Sequence, residues 1–530
     1  MLKVDELELG SNDAEDYKRN NYKDFFNTVF LKNSYLEKLL NHNTFFLIGD
    51  KGTGKTAYAV FLSNNEYKET RSTIKYIRET EYQKFVMLKR EKQLFLSDYP
   101  TIWRVIILVL LASNVKKDNI SNVFSKNEKL EKIKNAIDCY FHDAFTPELY
   151  QAIQIVENSK EIAGLIFKAI NYQNQESSQI TYNETNIQNN LQYIEKNLIS
   201  SIMSLKLTLN QFLFIDGIDI RPGGIEYKEY LMCVKGLTEA VWSLNNDVFS
   251  VSNGSKGKFK AVLLLRPDIF QSIGLQNSTN KFLNNSVYLD WRTTYANYLE
   301  SDLFEIGKKL LVYKQNLDEV KALATTIWDY YFCWTIPSTN DKREFDTPFI
   351  QFLRISYSRP RDIITIVQLM QRIQEQKQPK QDTFIEEIFT SSDFKNSYSQ
   401  YLMGGIKDQL AFYYSDEDYQ LLLHFLSLFK GNSRFTYDFY AEKYNYFTEY
   451  VLNNAKDLPE FIDTKDMFLQ FLYDSNIICY VDENRSESLY RYCYRERNIA
   501  NLTPKIETGT GKSYLFHYGL IKALNLGAYN

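Results

Sequence analysis

The chain has no apolar run approaching the roughly 20 residues that a membrane-spanning helix requires. Its longest is VIILVLLA at residues 105–112. The opening stretch, MLKVDELELGSNDAEDY, is polar and acidic where a secretory signal is basic and then apolar. The expectation is therefore a soluble, cytoplasmic protein with no membrane partner. Cysteine is scarce: Cys139, Cys233, Cys333, Cys479 and Cys493 lie far apart, with no paired spacing that clamps zinc, and read as buried thiols of a reducing compartment. His42, His142, His424 and His517 are equally scattered and form no ligand set. An excess of positive charge is also missing. Lys and Arg number 62 against 66 Asp and Glu, a formal charge of -4, which argues against a nucleic-acid binder over the whole surface and leaves only local basic patches. No repeat period is visible.

What is present is an ordinary globular balance, 44% hydrophobic and 24% charged, over 530 residues. That length is too great for one core and points to roughly three or four domains. Residues 25–40 carry apolar positions at helical spacing and run into TFFLI at 44–48, a short buried strand. Glycines at 49–54 break it, and KTAYAVFL at 55–62 resumes as helix. Residues 211–216 (QFLFID), 260–265 (KAVLLL) and 286–289 (SVYL) read as further strands, with a helix through 230–244. With one more near 74–77 they make a parallel sheet of about five strands, an α/β fold of the P-loop NTPase kind. Residues 1–98 and 209–300 form this core, and 99–208 a helical insertion interrupted by a polar Asn/Gln-rich stretch at 171–190. Residues 301–400, helical throughout 301–376, form a lid. Residues 401–530 form a winged-helix-like α+β domain, with helices near 416–429 and 463–474 and short strands near 477–481, 489–495 and 513–518.

The chemistry concentrates in Gly49, Asp50, Lys51, Gly52, Thr53, Gly54, Lys55 and Thr56, which satisfy G-x-x-x-x-G-K-[ST] at every fixed position, with Ala57 continuing the helix. Glycines let backbone N–H groups converge on phosphate oxygens, and the helix that follows adds its positive end. Lys55 supplies a point charge to the β and γ phosphates; the Thr56 hydroxyl ligates magnesium. ATP with Mg2+ is the cofactor expected. Asp216, ending an apolar strand, is the second group expected to hold the magnesium. Asp219, three residues on, orients or deprotonates the attacking water, since the position directly after the strand is Gly217.

Arg266 ends the next strand and either senses the γ phosphate or pairs with Asp216, Asp219 or Asp268. Arg359 and Arg361, in SRPRD at 358–362, precede an apolar helical run and reach from the lid to the phosphates. A second glycine-rich stretch, GTGKS at 509–513, lacks the first glycine and a strand before it, and reads as a hairpin turn. In LYRYCYRER at 489–497, Tyr490, Tyr492 and Tyr494 fall on one face of a strand and Arg491, Arg495 and Arg497 on the other. That face is either a half-buried wing strand or a contact for nucleic acid through the carboxy-terminal domain.

Four stretches, GDKGTGKTA at 49–57, FIDGIDIRPGGIEYKEYL at 214–231, VLLLRPDIF at 262–270 and NSVYLDWRTTY at 285–295, resemble the Fun(Z)-type P-loop ATPases of bacteria and prophages. The Asp-x-x-Asp ending of the 216 strand is more distantly similar to the KAP and STAND branches of the AAA+-like NTPases. The resemblance implies an ATP-hydrolysing switch in antiviral defence and phage exclusion, with a homo-oligomer, a partner defence protein or a phage-derived trigger as its company. Gly217 departs from the mainstream AAA+ pattern, which implies slow turnover. The rival reading is a nucleic-acid-binding module whose nucleotide sets conformation.

Overall fold

The computed structural model describes residues 1–77, 99–115, 118, 120, 195–196, 198–200, 202–221, 225–251, 254–274, 284–323, 325–338, 344–454, 459–484, 487–498 and 501–526. Two compact units are present: Ser34–Gly49 with Lys55–Tyr288, and Met1–Asn33 with Asp50–Gly54 and Leu289–Asn530.

The first unit contains α1 (Ser34–Leu40), β1 (Phe46–Ile48), α2 (Lys55–Asn64), β2 (Thr70–Tyr76), α3 (Tyr99–Asn114), β3 (Asn210–Asp216), α4 (Tyr227–Ser243), β4 (Phe259–Leu265), α5 (Pro267–Ile273) and β5 (Ser286–Tyr288). Its five strands form one all-parallel sheet in the order β2-β3-β4-β1-β5, the sheet that the apolar runs lead one to expect. Every residue of β4 is buried, because a parallel strand covered on both faces has no polar side to alternate with. Parallel strands deliver their carboxyl ends to one edge. Ile48 pairs with Leu265 and Ile215 with Leu263, so Gly49, Asp216 and Arg266 all leave the sheet at that edge.

The close approach of α3 and α4 depends on Gly236, where an added Cβ would sit 2.5 Å from the Tyr99 Cβ and 3.1 Å from its carbonyl carbon. Neither atom can rotate away, so Gly236→Val should cost about 2–3 kcal/mol through overpacking. The check is the thermal unfolding midpoint, which should fall by several degrees; an unchanged midpoint would mean that the two helices do not meet there. At the opposite edge of the sheet Lys260 is buried, donating to the carbonyls of Leu39 (2.6 Å) and Asn41 (2.9 Å) at the end of α1, with the Phe212 ring 3.9 Å from its ammonium. Burial pushes that ammonium well below the usual lysine value.

The second unit carries the helix Asn20–Val29, then α6 (Asp302–Val312), the short helices Leu317–Lys321 and Ile327–Tyr331, a two-stranded antiparallel ribbon of β6 (Ile336–Pro337) and β7 (Phe345–Asp346), the helix Pro348–Ile355, α7 (Pro360–Lys377) and α8 (Ser392–Leu410). The expectation of unbroken helix over 301–376 is corrected by the ribbon. Fully buried Asp346 fixes it, accepting from the Ser338 hydroxyl (3.0 Å), the Gln351 amide (3.2 Å) and Arg354 (2.8 Å). A buried carboxylate so satisfied outweighs local helix preference.

The chain continues through α9 (Asp416–Ser427), β8 (Arg434–Thr436), α10 (Tyr437–Asn454), α11 (Lys465–Asp474), β9 (Ile478–Asn484), β10 (Glu487–Tyr492), a helical turn Cys493–Glu496 and β11 (Ser513–Phe516). Its four strands pair antiparallel in the order β10-β9-β11-β8. The reading of 489–497 as one strand with an arginine face is corrected: β10 ends at Tyr492, and the turn after it buries Tyr494 and Arg497. Arg491 pairs with Asp482 and Glu496, and Arg495 lies over the rings of Tyr295, Tyr492 and Tyr494. The 509–513 stretch is a turn into β11, with Gly509 and Gly511 at φ +115 and +87.

Cys233, Cys479 and Cys493 are buried as expected, whereas Cys333 is exposed, against expectation. Cys139, His142, the 171–190 stretch and most of the expected insertion lie outside the described residues. Among the described residues, no helix is long and apolar enough to cross a membrane.

Candidate functional site

Gly49 closes β1 by donating its N–H to the Leu265 carbonyl of β4 (3.2 Å). On the far side of the loop Lys55 opens α2, and its ammonium donates to the Gly49 carbonyl at 2.8 Å. Only 7% of the Lys55 side chain is exposed, and its charge is met by the Asp219 carboxylate at 3.9 Å. One residue on, the Thr56 hydroxyl donates to Asp216 Oδ2 at 2.6 Å, while Asp216 Oδ1 accepts from the Gly217 N–H at 2.8 Å. Ala57 follows within α2. The sheet thus brings Lys55, Thr56, Asp216 and Asp219 together. Burial raises the Asp216 carboxyl above the ordinary carboxylate value and nearby Asp219 adds to the rise, against the Thr56 hydroxyl, Lys55 and the Gly217 N–H.

Gly217 explains why the acid that follows the strand stands at 219. Its φ is +90, and a Cβ there would lie 2.6 Å from the Ile77 carbonyl oxygen, so no acidic side chain fits at that position without moving the end of β2. The turn is then held by the buried Tyr230 hydroxyl, which donates to the Ile218 carbonyl at 2.8 Å and so fixes where Asp219 emerges. Arg266, 2% exposed, donates from Nε to Asp268 Oδ1 at 3.0 Å and from Nη2 to Asp268 Oδ2. Of the alternatives open in the sequence, its guanidinium takes the pairing with Asp268.

The middle of the loop, Asp50–Gly54, groups with the second unit. Thr53 N–H and Oγ1 both donate to the Asp50 carbonyl (3.2 and 2.8 Å), and Gly52 and Gly54 adopt φ of +88 and +94, values that glycine holds without strain. The indole of Trp291 donates to the Thr53 carbonyl at 2.8 Å. Arg359, just before α7, donates to the Lys51 carbonyl at 2.8 Å and is locked by two bonds to Asp362, at 3.0 and 2.8 Å. The Arg361 N–H donates to the Gly52 carbonyl at 3.3 Å. Lys51 pairs with Asp408, and Asp50 Oδ1 accepts from Arg497 at 2.9 Å. The expected lid arginines therefore meet the loop through its carbonyls.

Asp408 carries no motif signal, and Tyr230 and Trp291 lie in the stretches 214–231 and 285–295 with no role of their own readable there; the partners of Trp291 and Asp408 lie far along the chain. Arg497 was visible only as one cation of an aromatic-rich stretch. A hydroxyl beside a carboxylate is a hard-oxygen donor pair of the sort magnesium takes when phosphates and water complete its shell. Among the described residues, no group of three or more His, Cys, Asp or Glu is arranged to hold a metal ion by itself. No family model, curated protein or solved structure matches this chain.

Proposed function

We propose that the chain binds ATP with magnesium at Gly49–Thr56 and hydrolyses it. The observation that carries this reading is the 2.6 Å hydrogen bond from the Thr56 hydroxyl to Asp216, with the Lys55 ammonium adjoining on the same helix. Two residues 160 positions apart in sequence are joined as the two protein ligands of a nucleotide's metal should be. Magnesium, when bound, neutralises charge on the phosphates; Thr56 and Asp216 would hold it.

The chain's own groups account for the rest. Lys55 exchanges its Gly49 carbonyl for phosphate oxygens, a favourable trade because a charge-assisted bond to phosphate is stronger than one to a neutral carbonyl. Asp219, about a quarter exposed and fixed by the Tyr230-anchored turn, orients the attacking water. Arg266, paired with Asp268 through Nε and Nη2, acts as a fixed positive charge at the strand edge.

In this reading the helix–strand–helix–helix order of 416–474, followed by the strands 478–484, 487–492 and 513–516, is a winged-helix module, and the whole is an AAA+-like switch of bacterial antiviral defence, the role implied by the motif resemblance. Asp219→Asn should retain Mg-ATP affinity and slow turnover about a hundredfold, within the range a positioned base contributes. Calorimetric binding set beside steady-state phosphate release tests it. Equal loss of binding and turnover would reassign Asp219 to the metal.

A further inference from the structure

A phosphate-binding loop works only when consecutive N–H groups point inward, which turns the intervening carbonyls and side chains outward, where other groups must hold them. In the second unit three successive loop residues are held by donors from elsewhere in the chain. Asp50 is gripped through its carboxylate by Arg497, Lys51 through its carbonyl by Arg359, and Gly52 through its carbonyl by the Arg361 N–H. Two of the three donors stand at the start of α7. The third, Arg497, closes the turn after β10, its N–H bonded to the Cys493 carbonyl at 2.8 Å.

Only 3% of the Arg497 side chain is exposed, against 25% for Asp50. A guanidinium so deeply buried is costly unless paired. The guanidinium also donates to the Asp474 backbone carbonyl at 3.3 Å and to the Cys493 sulfur at 3.4 Å. Through its hydrogen bond to the Asp50 carboxylate, a shift of the loop backbone at Asp50 reaches the turn that follows β10.

We infer that Arg497 is a positioning residue for the phosphate loop, and that its ion pair with Asp50 couples nucleotide binding to the carboxy-terminal module. This rests on the nucleotide reading of the loop. Coupling of this kind is reciprocal: nucleotide that orders the loop tightens the 493–498 segment, and loosening that segment weakens nucleotide binding.

The test is a double-mutant cycle on the full chain with Asp50→Asn, Arg497→Gln and the two combined. Affinity is measured for magnesium with an ATP analogue that cannot be hydrolysed at the β–γ bridge. Each single change should raise Kd about tenfold, and the combination no further. Hydrogen exchange at 493–498 should slow on addition of the analogue in the unaltered chain and not respond in Asp50→Asn. That response is a readout which a purely structural role would not move, and Asp50→Asn leaves the buried Arg497 in place, so it decides the matter even where Arg497→Gln unfolds. Additive losses, unchanged affinities, or an exchange response that survives Asp50→Asn each overturn the coupling while leaving the nucleotide site intact. Absence of binding by the unaltered chain overturns both.

Discussion

Lys55→Ala should lower the affinity for Mg-ATP by a factor of about 10²–10⁴, the expected consequence of losing charged hydrogen bonds worth roughly 1.5–3 kcal/mol each to two phosphates. The folded chain already bears the cost of sequestering this ammonium, which is 7% exposed and held at 2.8 Å from the Gly49 carbonyl and 3.9 Å from Asp219. Binding therefore redirects an ammonium already in place, and little ordering of a long side chain is needed. The variant should also lose about 1–3 kcal/mol of stability, because Gly49 is buried and its carbonyl loses the ammonium that donates to it. Titration calorimetry measures the affinity, and the thermal midpoint of the variant confirms its fold. A folded variant that binds Mg-ATP as tightly as the unaltered chain removes the loop from the nucleotide assignment.

The core of the fold was legible because both faces of its sheet are covered. Residues 46–48, 212–215 and 261–265 are short continuous apolar runs, and Gly49, Asp216 and Arg266 mark where they end. Helix α10 was not legible. Its buried positions Tyr437, Tyr440, Tyr444, Phe447 and Val451 follow helical spacing, but Tyr446 and Tyr450 on the open side are aromatic too, so the contrast between faces vanishes. The 489–497 stretch failed for the opposite reason. Tyrosine and arginine alternate at strand period, yet Cys493–Glu496 turns because Arg497 must be buried against Asp50, a partner 447 residues away. Local periodicity records which face is apolar and carries nothing about pairs that only the folded chain creates. The same limit separates Lys55, Thr56 and Asp216, readable from motif and strand, from Trp291 and Arg497, whose hold on the loop no local pattern records.

Asp216→Asn tests the other half of the site, with effects expected to run in opposite directions on stability and on turnover. Asparagine can keep acceptance from the Gly217 N–H through its Oδ1, while its Nδ2 donates to the Thr56 hydroxyl oxygen in a reversed bond, so the turn into 217–219 should survive. What disappears is a negative charge that burial disfavours, as the raised Asp216 value records. A carboxyl whose folded pKa is raised contributes its full stability below the unfolded value, near 4, and loses it as pH rises through the folded value. Above that folded value the ionised Asp216 therefore costs stability, and there the variant should melt at the same temperature as the unaltered chain or higher when no nucleotide is present. Turnover should fall by about 10³-fold or more, because on the proposed reading this buried charge would hold the metal against the phosphates. Acidification should act in the same direction on the unaltered chain: protons compete with magnesium for Asp216, so the magnesium concentration needed for half-maximal turnover rises as pH falls. Phosphate release across a magnesium titration at several pH values, set beside thermal melts, reads both effects. An Asp216→Asn chain with undiminished magnesium-dependent turnover would separate the carboxylate from the metal and leave the Thr56 hydrogen bond a purely structural contact.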